Sequence, residues 1–185
     1  SREIKMHRLS RQVRFSITPF LPVQPEGFNS YASKPTGDGL SFYLALWVEL
    51  EGQLDPDTGF IVNVSEIDPV VRRYAVPAFT EQVNAALKAH KQLSLLDLAT
   101  ILARCAPPLA ELFERGRKTL RQLRLELSPF RSIALVFPSG QSPQVEDLQM
   151  FTYTEKFEFS AMHKLWNDTF SPERNAEVFG KCANP

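Results

Sequence analysis

Leu120-Arg121-Gln122-Leu123-Arg124-Leu125-Glu126-Leu127, then Ser128-Pro129-Phe130, then Ser132-Ile133-Ala134-Leu135-Val136-Phe137: this stretch decides the fold. Leucines alternate with charged or polar residues in the first run, the pattern of a strand with one buried face. The second run is apolar, and the Ser-Pro-Phe turn between them makes the pair a β-hairpin. Upstream, Ser94 is an N-cap for a segment in which Leu95, Leu98, Leu102 and Leu109 recur at helical spacing. Pro107-Pro108 is expected to kink or divide that helix.

Further toward the N-terminus, Leu40 to Leu50 (LSFYLALWVEL) is aromatic and aliphatic and predicts the strongest strand in the chain. Gln12 to Leu21 predicts a strand before it, closed by Pro19, Pro22 and Pro25. After it, Asp55-Pro56-Asp57-Thr58-Gly59 predicts a hairpin turn, with Phe60 to Val64 returning as a strand. Ser65, Glu66 and Asp68-Pro69 then open a helix expected to end near Tyr74. On the C-terminal side, residues 138–150 have the composition of a linker, and Phe151 to Ser160 alternates again as a new strand. Strand pairs on either side of two helices give an α+β class with an antiparallel sheet covered on one face.

Composition narrows the function. The chain has 185 residues, enough for one good core and part of a second. Lys plus Arg equals Asp plus Glu at 21 each, so no overall charge points to nucleic acid or a membrane surface. The basic run from Arg115 to Arg124 reads as a solvated face. No apolar stretch approaches the ~20 residues of a membrane span, and no secretory signal opens the chain. Cys105 and Cys182 lie far apart in unlike contexts, which predicts a reduced, cytoplasmic protein without a disulfide. Cys105, on the apolar helix pattern, reads as a buried small hydrophobe.

An internal echo divides the chain. Phe15-Ser16-Ile17-Thr18-Pro19-Phe20-Leu21 and Phe159-Ser160-Ala161-Met162-His163-Lys164-Leu165 share Phe, Ser and Leu at equal spacing. This predicts two tandem units, one over 10–137 and one beginning over 151–185.

The second copy, followed by Phe179-Gly180-Lys181-Cys182-Ala183-Asn184-Pro185, resembles the active-site opening of the 6-pyruvoyl- and 6-carboxy-tetrahydropterin synthase family. In that family the histidine is a zinc ligand and the cysteine the catalytic base. The resemblance therefore implies that His163 binds zinc and that Cys182 moves a proton. Lys181 beside it, and a bound metal, would favour the thiolate. The family's other two zinc histidines, in Gly-His-Gly-His-Asn-Tyr, are expected beyond Pro185 in a longer parent. The polar stretch from Ser171 through Glu173 and Asn175 reads as a helix start, with Ser171 as N-cap and Pro172 at the first helical position.

The first copy resembles the family more loosely. Gly37-Asp38-Gly39-Leu40-Ser41-Phe42 stands where the family has Gly-His-Gly-His-Asn-Tyr, and Pro19, Asp38 and Leu40 stand at the three histidine positions. Proline and leucine cannot coordinate a metal, so this unit is expected to be zinc-free. Phe79-Thr80 stands at the family's catalytic Asp-His pair. Leu125-Glu126-Leu127-Ser128 is similar to the strand whose Glu-Thr anchors the pterin ring. Glu126 is thus a candidate substrate-binding residue, or equally a charge on the exposed face of an alternating strand. The resemblance implies the tunnelling fold: a four-stranded antiparallel sheet with two helices on one face, joined through sheet edges into homo-oligomeric barrels. It also implies a zinc-dependent lyase acting on 7,8-dihydroneopterin triphosphate, the 6-carboxy branch of queuosine synthesis being favoured. A non-catalytic pterin-binding or assembly protein is the alternative, and a metal-free folate-pathway relative of the same fold is a third.

Overall fold

The computed structural model describes residues 5–20, 39–138, 150–159 and 164–183. Contacts divide the described residues into two compact units at Glu155/Lys156. The first is α+β. Strands β1 (His7–Ile17), β2 (Phe42–Gly52), β3 (Thr119–Ser128), β4 (Arg131–Val136) and β5 (Thr152–Glu155) form one antiparallel sheet in the order β1-β2-β3-β4-β5. Helices α1 (Val64–Lys88) and α2 (Leu95–Arg115) lie between β2 and β3 in sequence. The antiparallel α+β class follows the sequence pattern. The sheet has five strands where the resemblance implied four, because β5 pairs with β4 from Arg131↔Glu155 to Ala134↔Thr152.

One face of the sheet is the core. Val13 pairs with Leu46 and Phe15 with Leu44, Leu46 with Leu125 and Val48 with Leu123, and Leu125 with Ile133. These side chains share a cluster with Val71, Ala75 and Phe79 of α1 and Leu102, Cys105 and Leu109 of α2. Residues directly opposite in an antiparallel pair project to the same face, so both helices cover one side. Gln12, Trp47, Arg124 and Glu126 alternate with this set and belong to the other side.

Several expectations are corrected. The predicted return strand over Phe60–Val64 does not form. The Asp55 turn does: its carboxylate accepts from the backbone N–H groups of Asp57 and Thr58 at 3.0 and 2.9 Å. But Asn63 then caps α1 by accepting from the Ser65 N–H at 3.0 Å, so only Ile61 and Val62 remain between turn and helix. Both are buried there by packing. The helix expected to stop near Tyr74 runs on to Lys88 with Pro77 inside it. An interior proline costs about 3 kcal/mol, and burying Ile67, Val71, Ala75 and Phe79 on one stripe outweighs it. Pro107-Pro108 likewise lies inside a continuous α2. The strand predicted over Leu40–Leu50 forms as β2 in the interior of the sheet, and β1 and β5 are its edges. The first strand spans His7–Ile17 rather than 12–21, since residues 7–11 pair with Val48–Gly52.

The expected linker lies almost wholly outside the described residues. The second unit contributes α3 (Pro172–Phe179) and the 3-10 turn Gly180–Ala183. No described helix is long and apolar enough to cross a membrane.

Candidate functional site

Cys182 and the chain around residue 165 are brought together. The Leu165 backbone N–H donates to the Cys182 carbonyl at 2.8 Å, which sets the cysteine turn against a segment two residues past His163 in sequence. His163 itself lies outside the described residues. The turn forms because Gly180 ends α3 with φ of 54°, a left-handed conformation that glycine adopts without steric cost. Cys182 is half-buried one turn later. Ser171 caps α3 by accepting from the Arg174 N–H at 3.2 Å, with Pro172 in the first turn, as the sequence predicts. Lys164 lies with its Nζ 4.6 Å from the centre of the Trp166 ring, a cation–π contact.

Glu126 stands on the sheet face turned away from α1 and α2. It pairs in register with Ala45 on one side and Ser132 on the other. Its Oε2 accepts from Gln12 Nε2 at 2.9 Å, and its Oε1 lies 3.2 Å from Arg124 Nη1. The Arg124 guanidinium in turn covers the Trp47 ring at 4.9 Å. Trp47 Nε1 is buried and has no hydrogen-bond partner in the structure. A carboxylate, a guanidinium, a carboxamide and an indole are thus concentrated at the middle of this face. Sequence reasoning had singled out Glu126 alone. Trp47 and Gln12 were legible only as members of strands, since nothing within either strand shows which residues its neighbours set opposite.

A pocket of about 560 Å³ opens elsewhere, lined by Phe42, Tyr43, Leu44, Val83, Leu87 and Lys91 among others. Leu127 lines it and packs on the core, whereas Glu126 faces away, so the pocket and the Glu126 cluster are separate features.

The other sequence candidates separate by unit. Cys105 is buried in the core, where desolvation pushes its thiol up to about 12. That makes it the inert small hydrophobe expected. Among the described residues, no group of three or more His, Cys, Asp or Glu side chains could hold a metal ion. Phe79 and Thr80 are buried, the Thr80 hydroxyl donating to the Val76 carbonyl at 2.8 Å. The described residues thus supply no ligand set that fits zinc. Asp38 also lies outside the described residues. No family model matches the chain, and no curated protein matches it.

Proposed function

We propose that this chain belongs to a tetrahydropterin synthase-like lyase acting on 7,8-dihydroneopterin triphosphate, with a zinc-free first unit and the opening of a zinc-dependent second unit. The observation that carries the proposal is the bond from Leu165 N–H to the Cys182 carbonyl. The family chemistry needs a thiolate close to its first zinc histidine, and this bond ties the cysteine turn to the non-strand segment that begins just past His163. The order strand, strand, helix, helix, strand, strand, with both helices on one sheet face, supports the same reading.

In this account Cys182 takes up and returns a proton on the substrate side chain as the general base. His163 would hold a zinc ion together with ligands outside the described residues, and the metal would act there as a Lewis acid. The first unit contributes the sheet and, through Glu126, a carboxylate of the kind that holds the amino and ring N–H groups of a pterin.

A second reading is a non-catalytic pterin-binding or assembly protein, and one detail favours its assembly form. Both Glu126 oxygens already have partners, Gln12 and Arg124, so a ligand would have to displace one of them. Turnover of 7,8-dihydroneopterin triphosphate by the gene product at its natural length separates the two. The enzyme account expects product from the parent and a loss of at least about 100-fold with Cys182→Ala, the usual scale for removing a general base. Binding without turnover in the well-folded parent would leave the second reading.

A further inference from the structure

Among the described residues of the second unit, one polar side chain has no solvent exposure, Asn175. It stands in the first turns of α3, and its carboxamide reaches back to the preceding loop. Its Oδ1 accepts from the Asn167 N–H at 2.8 Å. Its Nδ2 donates to the Asn167 carbonyl at 2.9 Å, with the Ser171 and Phe170 carbonyls at 3.2 and 3.4 Å. Only a carboxamide both accepts from and donates to the same peptide in this way. Aspartate, equal in size, keeps the oxygen that accepts from the Asn167 N–H and loses every donor, so its second oxygen would face the carbonyl oxygens that Nδ2 now meets. Alanine would remove the acceptor of the Asn167 N–H and the side-chain donor from three carbonyls, of which those of Asn167 and Ser171 keep the Phe170 and Asn175 N–H groups.

The loop held at one end by Asn175 is held at the other by the thiol turn. Two residues before Asn167, the Leu165 N–H donates to the Cys182 carbonyl. Asn167 itself is folded into a tight turn, its Oδ1 accepting from the Thr169 N–H and hydroxyl at 2.9 and 2.7 Å. The chain therefore runs from Leu165, beside Cys182, through a rigid turn to a clamp on α3, and α3 leads through Gly180 back to Cys182. This is a closed ring of contacts, and among the described residues Asn175 is its fully buried polar side chain.

We propose that Asn175 is a positioning residue for Cys182: by locking the 165–171 loop to α3 it fixes the thiol turn against the segment that follows His163. Its catalytic meaning rests on the proposal that Cys182 is the base, but the positioning itself does not.

The test uses the full chain and the variants Asn175→Asp and Asn175→Ala, with two measurements that need neither metal nor substrate. One is hydrogen exchange at the Leu165 amide against amides within α3, such as Val178 and Phe179. The other is the alkylation rate of Cys182, with buried Cys105 as an internal reference. Positioning predicts that in Asn175→Asp the Leu165 amide exchanges at least about tenfold faster, the equivalent of one lost buried hydrogen bond. Cys182 then alkylates faster in step, while α3 and Cys105 stay protected. Leu165 exchange and Cys182 alkylation within twofold of the parent in both variants would overturn the proposal. Loss of α3 protection in both variants would overturn it equally, because Asn175 would then hold the helix rather than place the thiol. A parent that fails to process pterin refutes the functional proposal and leaves these two readouts decisive for Asn175.

Discussion

At the scale of single residues, the most consequential polar contact of the first unit was invisible in the sequence. Arg11 lies on the core side of β1, opposite Val48, and its guanidinium grips Asp68 of α1 through Nε at 2.8 Å and Nη2 at 3.2 Å. Asp68 has no exposed side-chain surface, and Arg11 has 15%. The sequence showed Asp68 only as part of a helix start, because its partner lies 57 residues away. Removing one member of a buried pair strands the other charge without its partner, which costs about 3 kcal/mol or more. Asp68→Ala is expected to lower unfolding stability by about that amount in urea titration. A change below ~0.5 kcal/mol would show that the pair contributes little beyond its own desolvation.

At the scale of elements, α2 shows what local sequence encodes well. Ser94 and Asp97 form a full capping box: the Asp97 N–H donates to Ser94 Oγ at 3.1 Å, and the Ser94 N–H donates to the Asp97 carboxylate at 2.8 Å. The Ser94 hydroxyl donates to the same carboxylate at 2.6 Å. Hydrogen bonds from the Ser94 hydroxyl first, and from its backbone N–H second, hold the Asp97 carboxyl below its ordinary 3.8. A carboxyl whose value is depressed on folding adds stability above its unfolded value and loses it as pH falls through the folded one. The melting-temperature gap between the parent and Asp97→Asn should therefore be constant above pH ~5 and shrink below 3.8. A gap independent of pH would contradict the box as its source. The Ser94 cap, the β3–β4 hairpin and β2 were all legible because capping and alternation are written in neighbouring residues. The length of α1 was not. Pro77 reads locally as a stop, and only burial of Val71, Ala75 and Phe79 against the sheet shows why the helix continues. The Phe60–Val64 strand failed for the converse reason: Ile61 and Val62 are buried by packing without a strand partner, beside an Asn63 cap, and Phe60 is exposed.

At the scale of the whole molecule, the chain joins a complete sheet-and-helix unit to a short second unit that carries Cys182. The sequence singled out Cys182 and Glu126 as candidates through their motifs. The clamp by Asn175 and the cluster of Gln12, Trp47 and Arg124 around Glu126 depended on contacts between separate elements. The account's central claim is that the second unit opens a zinc-dependent site through His163. The measurement that bears on it most directly is elemental analysis of the purified gene product at its natural length, parent against His163→Ala. The account predicts about one zinc per chain, bound by three protein ligands with one open position, and its loss in the variant with the fold intact. A well-folded parent without zinc would contradict it.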